Sequence, residues 1–193
     1  MGSLFDTLYD ILFQPLIAMK NIGEQKPISQ AIIAFLGSIV LPIWALYFSL
    51  KMIDMPEMVN VVIAIKVVSG IMIWVMGSAI WHLIAEFFGG RGSAVGLFAA
   101  LGFVYIPWIF IIPLWALTTL MPTSSKVLLM TISVLAVLLW SLYLHVIAIK
   151  EVHQLSTATS VLVMLTPMLF VGLVCVITFI FIGSAITHMP MGL

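Results

Sequence analysis

The sequence predicts an all-α, polytopic integral membrane protein, with five transmembrane helices preceded by an N-terminal amphipathic helix. Three observations predict it. First, 64% of the 193 residues are hydrophobic and only 7% are charged. A soluble domain of this length needs a polar exterior that such a composition cannot supply. Second, apolar runs long enough to cross the hydrocarbon, about 20 residues as a helix, recur over 28–53, 58–88, 93–121, 126–149 and 159–187. Third, the connections are short: DMPE, GGRG, PTSS and KEVHQLSTA. Each carries the Gly, Pro, Ser or charge that ends a helix. Connections this short make sequential helices antiparallel neighbours.

Residues 3–20 differ from the spans. At helical spacing, Leu4, Phe5, Leu8, Tyr9, Leu12, Phe13, Leu16 and Met19 fill one half of the wheel. Ser3, Asp6, Asp10 and Gln14 occupy the other half. This is an amphipathic helix for the membrane surface or for the side of the bundle. Its polar face is acidic, so it is not a basic lipid anchor, and Pro15 should bend it. Asp6 and Asp10 stand where a cleavable signal would carry lysines, and no small-residue cleavage site follows. Asp6 also stands where a myristoylation signal wants Ser or Thr.

Within the spans, Pro42, Pro107, Pro113 and Pro167 interrupt the helices. Each frees a carbonyl that a neighbouring helix, a hydroxyl or water must satisfy. Lys66 is the deepest charge, and it shares a helical face with Gly70, Ile73 and Gly77. That face is rich in small residues, which points the lysine at protein. Its stem can also snorkel to headgroups, or it can pair with Asp54 or Glu57. With the N-terminus inside, Lys20, Lys26, Arg91 and Lys150 lie on the cytoplasmic side, against Lys51 and Lys126 outside. This bias favours a cytoplasmic N-terminus and an external C-terminus. The lone Cys175 excludes an intramolecular disulfide and a thiolate metal cluster. Seven basic residues cancel seven acidic ones, so nothing attracts nucleic acid.

The loop GGRGSAVG, residues 89–96, comes close to a phosphate-cradling glycine motif. A long hydrophobic helix precedes it instead of a strand, no lysine stands beside Ser93, and no acidic residue lies between Glu86 and Glu151. The phosphate reading fails on all three counts. The glycines serve a tight turn instead. Beyond it, Gly92, Gly96, Ala99 and Ala100 present a small-residue face for close helix packing.

The order of long span, Glu86, Phe-Gly-Gly-x-Gly-Ser, apolar helix and Gly-Phe-x-Tyr-x-Pro (Gly102 to Pro107) resembles the bacterial branch of the Yip (Ypt/Rab-interacting protein) membrane family. ILFQPLIAMKNI resembles the segment before that family's first span, and WSLYLHVIAIKEVHQLSTATSV its fourth span and following loop. The resemblance implies one Yip-type membrane domain over 1–193, five spans, a cytoplasmic N-terminus and no known catalysis. Eukaryotic relatives bind prenylated small GTPases and shape or sort membranes. This chain lacks their long cytoplasmic N-terminal region, which argues against carrying GTPase binding over.

Three of the four histidines and two carboxylates gather at one membrane depth: His82, Glu86, His145, Glu151 and His153, the last two in the loop after the fourth span. Imidazole and carboxylate suit a divalent metal such as zinc. His82 and His145 could also ligate a haem or a chlorophyll-like pigment, with Ser78 and Ser141 one turn away. A third reading is an interfacial hydrogen-bond network that needs no cofactor. No carboxylate is placed to orient a base beside a serine, so no triad is visible. The expected function is a non-enzymatic scaffold or accessory protein of a bacterial inner membrane. It would meet another membrane protein or complex, or a second copy of itself, by helix–helix contact in the bilayer. The alternative is a small transporter or a cofactor- or metal-binding subunit that uses His82, Glu86 and His145.

Overall fold

The computed structural model describes residues 3–51, 56–118 and 120–187, with side chains described outside 45–59, 123–124 and 183–187. All regular structure among the described residues is helical: α1 (Leu4–Phe13), α2 (Pro15–Gln25), α3 (Ile28–Lys51), α4 (Pro56–Phe87), α5 (Ala94–Phe103), a 3₁₀ turn (Ile106–Phe110), α6 (Ile111–Thr118), α7 (Thr123–His153) and α8 (Thr157–Thr187). Four described stretches are long and apolar enough to cross a bilayer: Asn60–Phe87, Ala94–Thr118, Ser125–His153 and Thr157–Ile182, with Ile28–Trp44 a shorter apolar helix. The chain is therefore an integral membrane protein of several spans.

The helix expected over 3–20 is two helices. Gln14, at φ −138° and ψ 58°, breaks the backbone, and Pro15 takes the first position of α2. Proline suits that position because its missing N–H has no partner there in any case. The run expected over 93–121 is also interrupted. Pro107 and Pro113 deprive an α-helix of donors, and the chain tightens into a 3₁₀ turn between α5 and α6. That tightening diverts the Trp108 N–H to the Tyr105 carbonyl, and the Ser141 hydroxyl donates to Val104 O at 3.1 Å. Pro42 and Pro167, by contrast, lie inside continuous helices.

The Ala94–Thr118 stretch is the centre, with 61% of its most apolar window buried; the figures for α4 and α8 are 11% and 0%. Leu97, Ala99, Ala100, Leu101 and Phe103 of α5 pack against Phe35, Trp74 and Leu144 from three surrounding helices. The Trp74 ring stacks between Phe35 and Phe98, with centroids 4.4 and 4.1 Å away, and its indole N–H donates to Phe98 O at 3.0 Å. Trp81 donates likewise to Met164 O at 3.3 Å and so joins α4 to α8. Such donors matter in lipid, where helix association has no hydrophobic driving force and rests on close packing and interhelical hydrogen bonds.

Candidate functional site

The site lies where α2, the α4–α5 turn, the end of α7 and the start of α8 converge. Its frame is set by two helix ends. At the end of α4, Gly89 has φ +85°, the Gly90 N–H donates to Ala85 O at 2.8 Å, and the Gly89 N–H donates to Glu86 O at 2.9 Å. This is the Schellman closure, which needs a left-handed residue that glycine adopts without strain. At the end of α7, Gln154 takes the left-handed conformation and the Leu155 N–H donates to Lys150 O at 3.0 Å. The Arg91 N–H then donates to His153 O at 3.1 Å, which fastens the turn to the last residue of α7.

The close approach depends on absent side chains. A Cβ on Gly92 would overlap the Val152 carbonyl oxygen, and one on Gly96 would stand 2.7 Å from the Gly23 carbonyl oxygen. Ala99 and Ala100 continue the same surface into the centre and are fully buried. The other two glycines of the expected packing set behave differently. Gly70 faces the side chains of Ile39 and Phe35 on α3, whereas Gly77 faces Trp81 of its own helix. Lys66 is exposed within this chain, as is Ile73 on the same face. The pairing of Lys66 with Asp54 or Glu57 falls on side chains outside the described residues.

The titratable side chains divide into two groups. His82 Nδ1 and His153 Nε2 are 3.0 Å apart, and Glu86 Oε1 lies 3.4 Å from the other nitrogen of His82. The ring centroids of the histidine pair are 5.3 Å apart. Rings reach that separation when the two nitrogens point straight at one another, the geometry of a hydrogen bond between the rings. His153 Nδ1 is buried without a close hydrogen-bond partner among the described residues. His153 and Glu151 belong to α7 and not to a loop, because α7 runs past residue 149 to His153. Glu151 pairs with Lys150 at 3.3 Å, an ion pair at the protein surface.

His145 stands apart from this pair. Its Nδ1 is 2.8 Å from Ser141 O, an acceptor only, so Nδ1 carries the proton. Its ring meets Trp81 and Tyr105 edge-on, at centroid distances of 5.4 and 5.7 Å. Ser78 and Ser141 spend their hydroxyls on the carbonyls of Val75 and Val104. Among the described residues, no group of three or more His, Cys, Asp and Glu side chains is gathered closely enough to hold a metal ion. The structure thus joins His82, Glu86 and His153 in one chain of contacts and gives His145 and Glu151 other partners.

Sequence reasoning missed Gly23 and Val152, the partners that make the approach close. Gly23 lies in a polar stretch before Lys26–Pro27, where a glycine reads as linker.

The family model of the Yip1 domain matches residues 9–180 of the chain. No curated protein and no solved structure gives a match.

Proposed function

Because the chain belongs to the Yip1 family, we propose that it is a non-enzymatic scaffold or accessory protein that organises other membrane components through helix–helix contact. The observation that carries this reading is the uneven burial of the spans. One central stretch holds the bundle together, while α8 from Met168 to Ile182 and most of α4 turn their apolar surface outward. The rigid end built around Gly92, Gly96 and the His82–His153 pair fixes the relative positions of α2, α4, α5 and α7. The outward surfaces are therefore presented in a fixed arrangement. Small residues and polar side chains hold such a junction in lipid without a cofactor.

The partner is another membrane protein or complex, or a second copy of this chain. We place the protein in a bacterial inner membrane with five spans, the histidine-bearing end in the cytoplasm and the C-terminus outside, in line with the distribution of Lys20, Lys26, Arg91 and Lys150. Affinity purification in mild detergent from native membranes tests the scaffold. A colourless, metal-free protein that brings down a membrane complex in fixed ratio supports it. A visible absorption band or a stoichiometric metal overturns it in favour of a cofactor-binding subunit. An activity reporter fused after Leu193 should report the external side.

A further inference from the structure

We propose that α1 is a half-embedded interfacial element whose Phe5, Tyr9 and Phe13 ridge sits among lipids at the membrane boundary, held there by apolar burial alone and without recognition of anionic headgroups. Three faces of α1 are distinct. Ile11 is fully buried against the bundle, with Leu4 and Leu8 packed beside it. Asp6 is exposed on the helix, and the polar residues Ser3 and Gln14 are exposed at its two ends. Phe5, Tyr9 and Phe13, at four-residue spacing, point away from the core with relative exposures of 80%, 59% and 66%. The Tyr9 and Phe13 rings touch, at a centroid distance of 4.6 Å, and so share one surface. The helix therefore packs on the bundle through its aliphatic face and still leaves a separate aromatic surface open.

Its position identifies lipid as the occupant. The Thr7 hydroxyl lies 3.4 Å from Gln30 Oε1, which puts the middle of α1 beside the first turn of α3, where that helix enters the membrane. The tether is short. Gln14 alone separates α1 from α2, and Lys26 and Pro27 alone separate α2 from α3. Apolar exposure continues along the chain through Leu16 and Ile17 to Ile28, Ile32 and Ile33 on the outer side of α3. At that depth the medium lateral to the bundle is lipid. Phenylalanine and tyrosine suit the boundary between headgroups and acyl chains. The polar face of α1 carries Asp6 and Asp10 and no cation, so an anionic headgroup gains nothing from it.

The test uses the full-length protein in liposomes, with Cys175→Ser as background. Nitroxide labels are placed singly at Phe5→Cys, Tyr9→Cys and Phe13→Cys, and at Ser3→Cys, Asp6→Cys and Gln14→Cys for comparison. Collision with oxygen reports lipid, and collision with a water-soluble nickel chelate reports solvent. The ridge positions should meet nickel severalfold less and oxygen more than the polar positions, because the chelate is excluded from the bilayer and oxygen is enriched there. The contrast should persist in high salt and when phosphatidylglycerol replaces part of the phosphatidylcholine. Equal nickel access on both faces overturns the proposal, because the ridge is then in water. Ridge positions closed to both oxygen and nickel also overturn it, because protein then covers them. Hydroxyl-radical oxidation of the unsubstituted protein checks the exclusion of water with no variant. Phe5, Tyr9 and Phe13 should be protected in liposomes, and their full oxidation there counts against the proposal.

Discussion

Gly92 and Gly37 are both glycines of apolar helix surroundings, and their environments predict opposite responses to one added methyl group. A Cβ on Gly92 meets the Val152 backbone, which cannot rotate out of the way, whereas nothing lies within 4 Å of a Cβ on Gly37. Gly92→Ala should therefore cost about 1–3 kcal/mol, the range for overpacking. Gly37→Ala should be neutral or stabilising by up to about 1 kcal/mol through helix propensity. Thermal unfolding in one detergent, with the variants side by side, checks both signs. The histidine pair belongs to the same scale. His82→Leu leaves the His153 Nε2 without a partner in a site that is 1% exposed, which should cost about 1–3 kcal/mol. His82→Leu combined with His153→Leu removes both ends, so the double variant should lose less than the sum of the singles. A coupling of about 1 kcal/mol in a double-mutant cycle is the expected reading, and additive losses would show that the 3.0 Å contact contributes nothing. The sequence placed His82 beside Glu86 correctly, because one helical turn fixes that spacing. It could not place His153, because the partner of His82 is 71 positions away and depends on how far α7 continues.

At the scale of elements, the N-terminus of α1 carries its own titration. The Asp6 carboxylate accepts from the Ser3 N–H and the Ser3 hydroxyl, both at 2.8 Å, while the Ser3 oxygen receives the Asp6 N–H at 3.2 Å. This reciprocal cap favours the ionised acid and holds its pKa below the ordinary 3.8. A carboxylate whose folded pKa is depressed stabilises the fold fully above the unfolded value and loses that contribution as pH falls through the folded one. Carbon-detected titration of Asp6 should give a midpoint under 3.8, and Ser3→Ala should return it toward 3.8. A midpoint unchanged by Ser3→Ala would show that the cap is open. The apolar runs at the spans are legible from sequence because length and hydropathy alone mark a helix in lipid. The breaks are less so. Pro42 and Pro167 are carried inside helices, yet Pro107 and Pro113 together with the Ser141 hydroxyl produce a 3₁₀ turn. A single proline does not reveal whether a neighbour will supply the missing partner.

The molecule as a whole is packed at its centre and at one end, and bare elsewhere. From Met168 to Ile182 every residue of α8 is exposed, and nothing lies within 4 Å of a Cβ placed on Gly172. Leu101 on α5, by contrast, is buried on all sides. The asymmetry turns the scaffold proposal into a spatial prediction. A photo-crosslinking residue replacing Phe179 or Phe181 should form protein adducts in native membranes, because those side chains are exposed among the described residues. The same residue at Leu101 should give crosslinks within the chain only. Mass spectrometry of the Phe179 and Phe181 adducts then separates the two kinds of partner, since a second copy gives a species of twice the monomer mass and another protein gives its own peptides. If both positions yield lipid adducts alone at native abundance, α8 is covered by the bilayer and helix–helix contact through this surface is not how the protein works. Placing the probes on α8 separates the outcome from the glycine-lined end, because Phe179 and Phe181 lie on the exposed stretch from Met168 to Ile182, and an adduct there reports assembly without disturbing the fold.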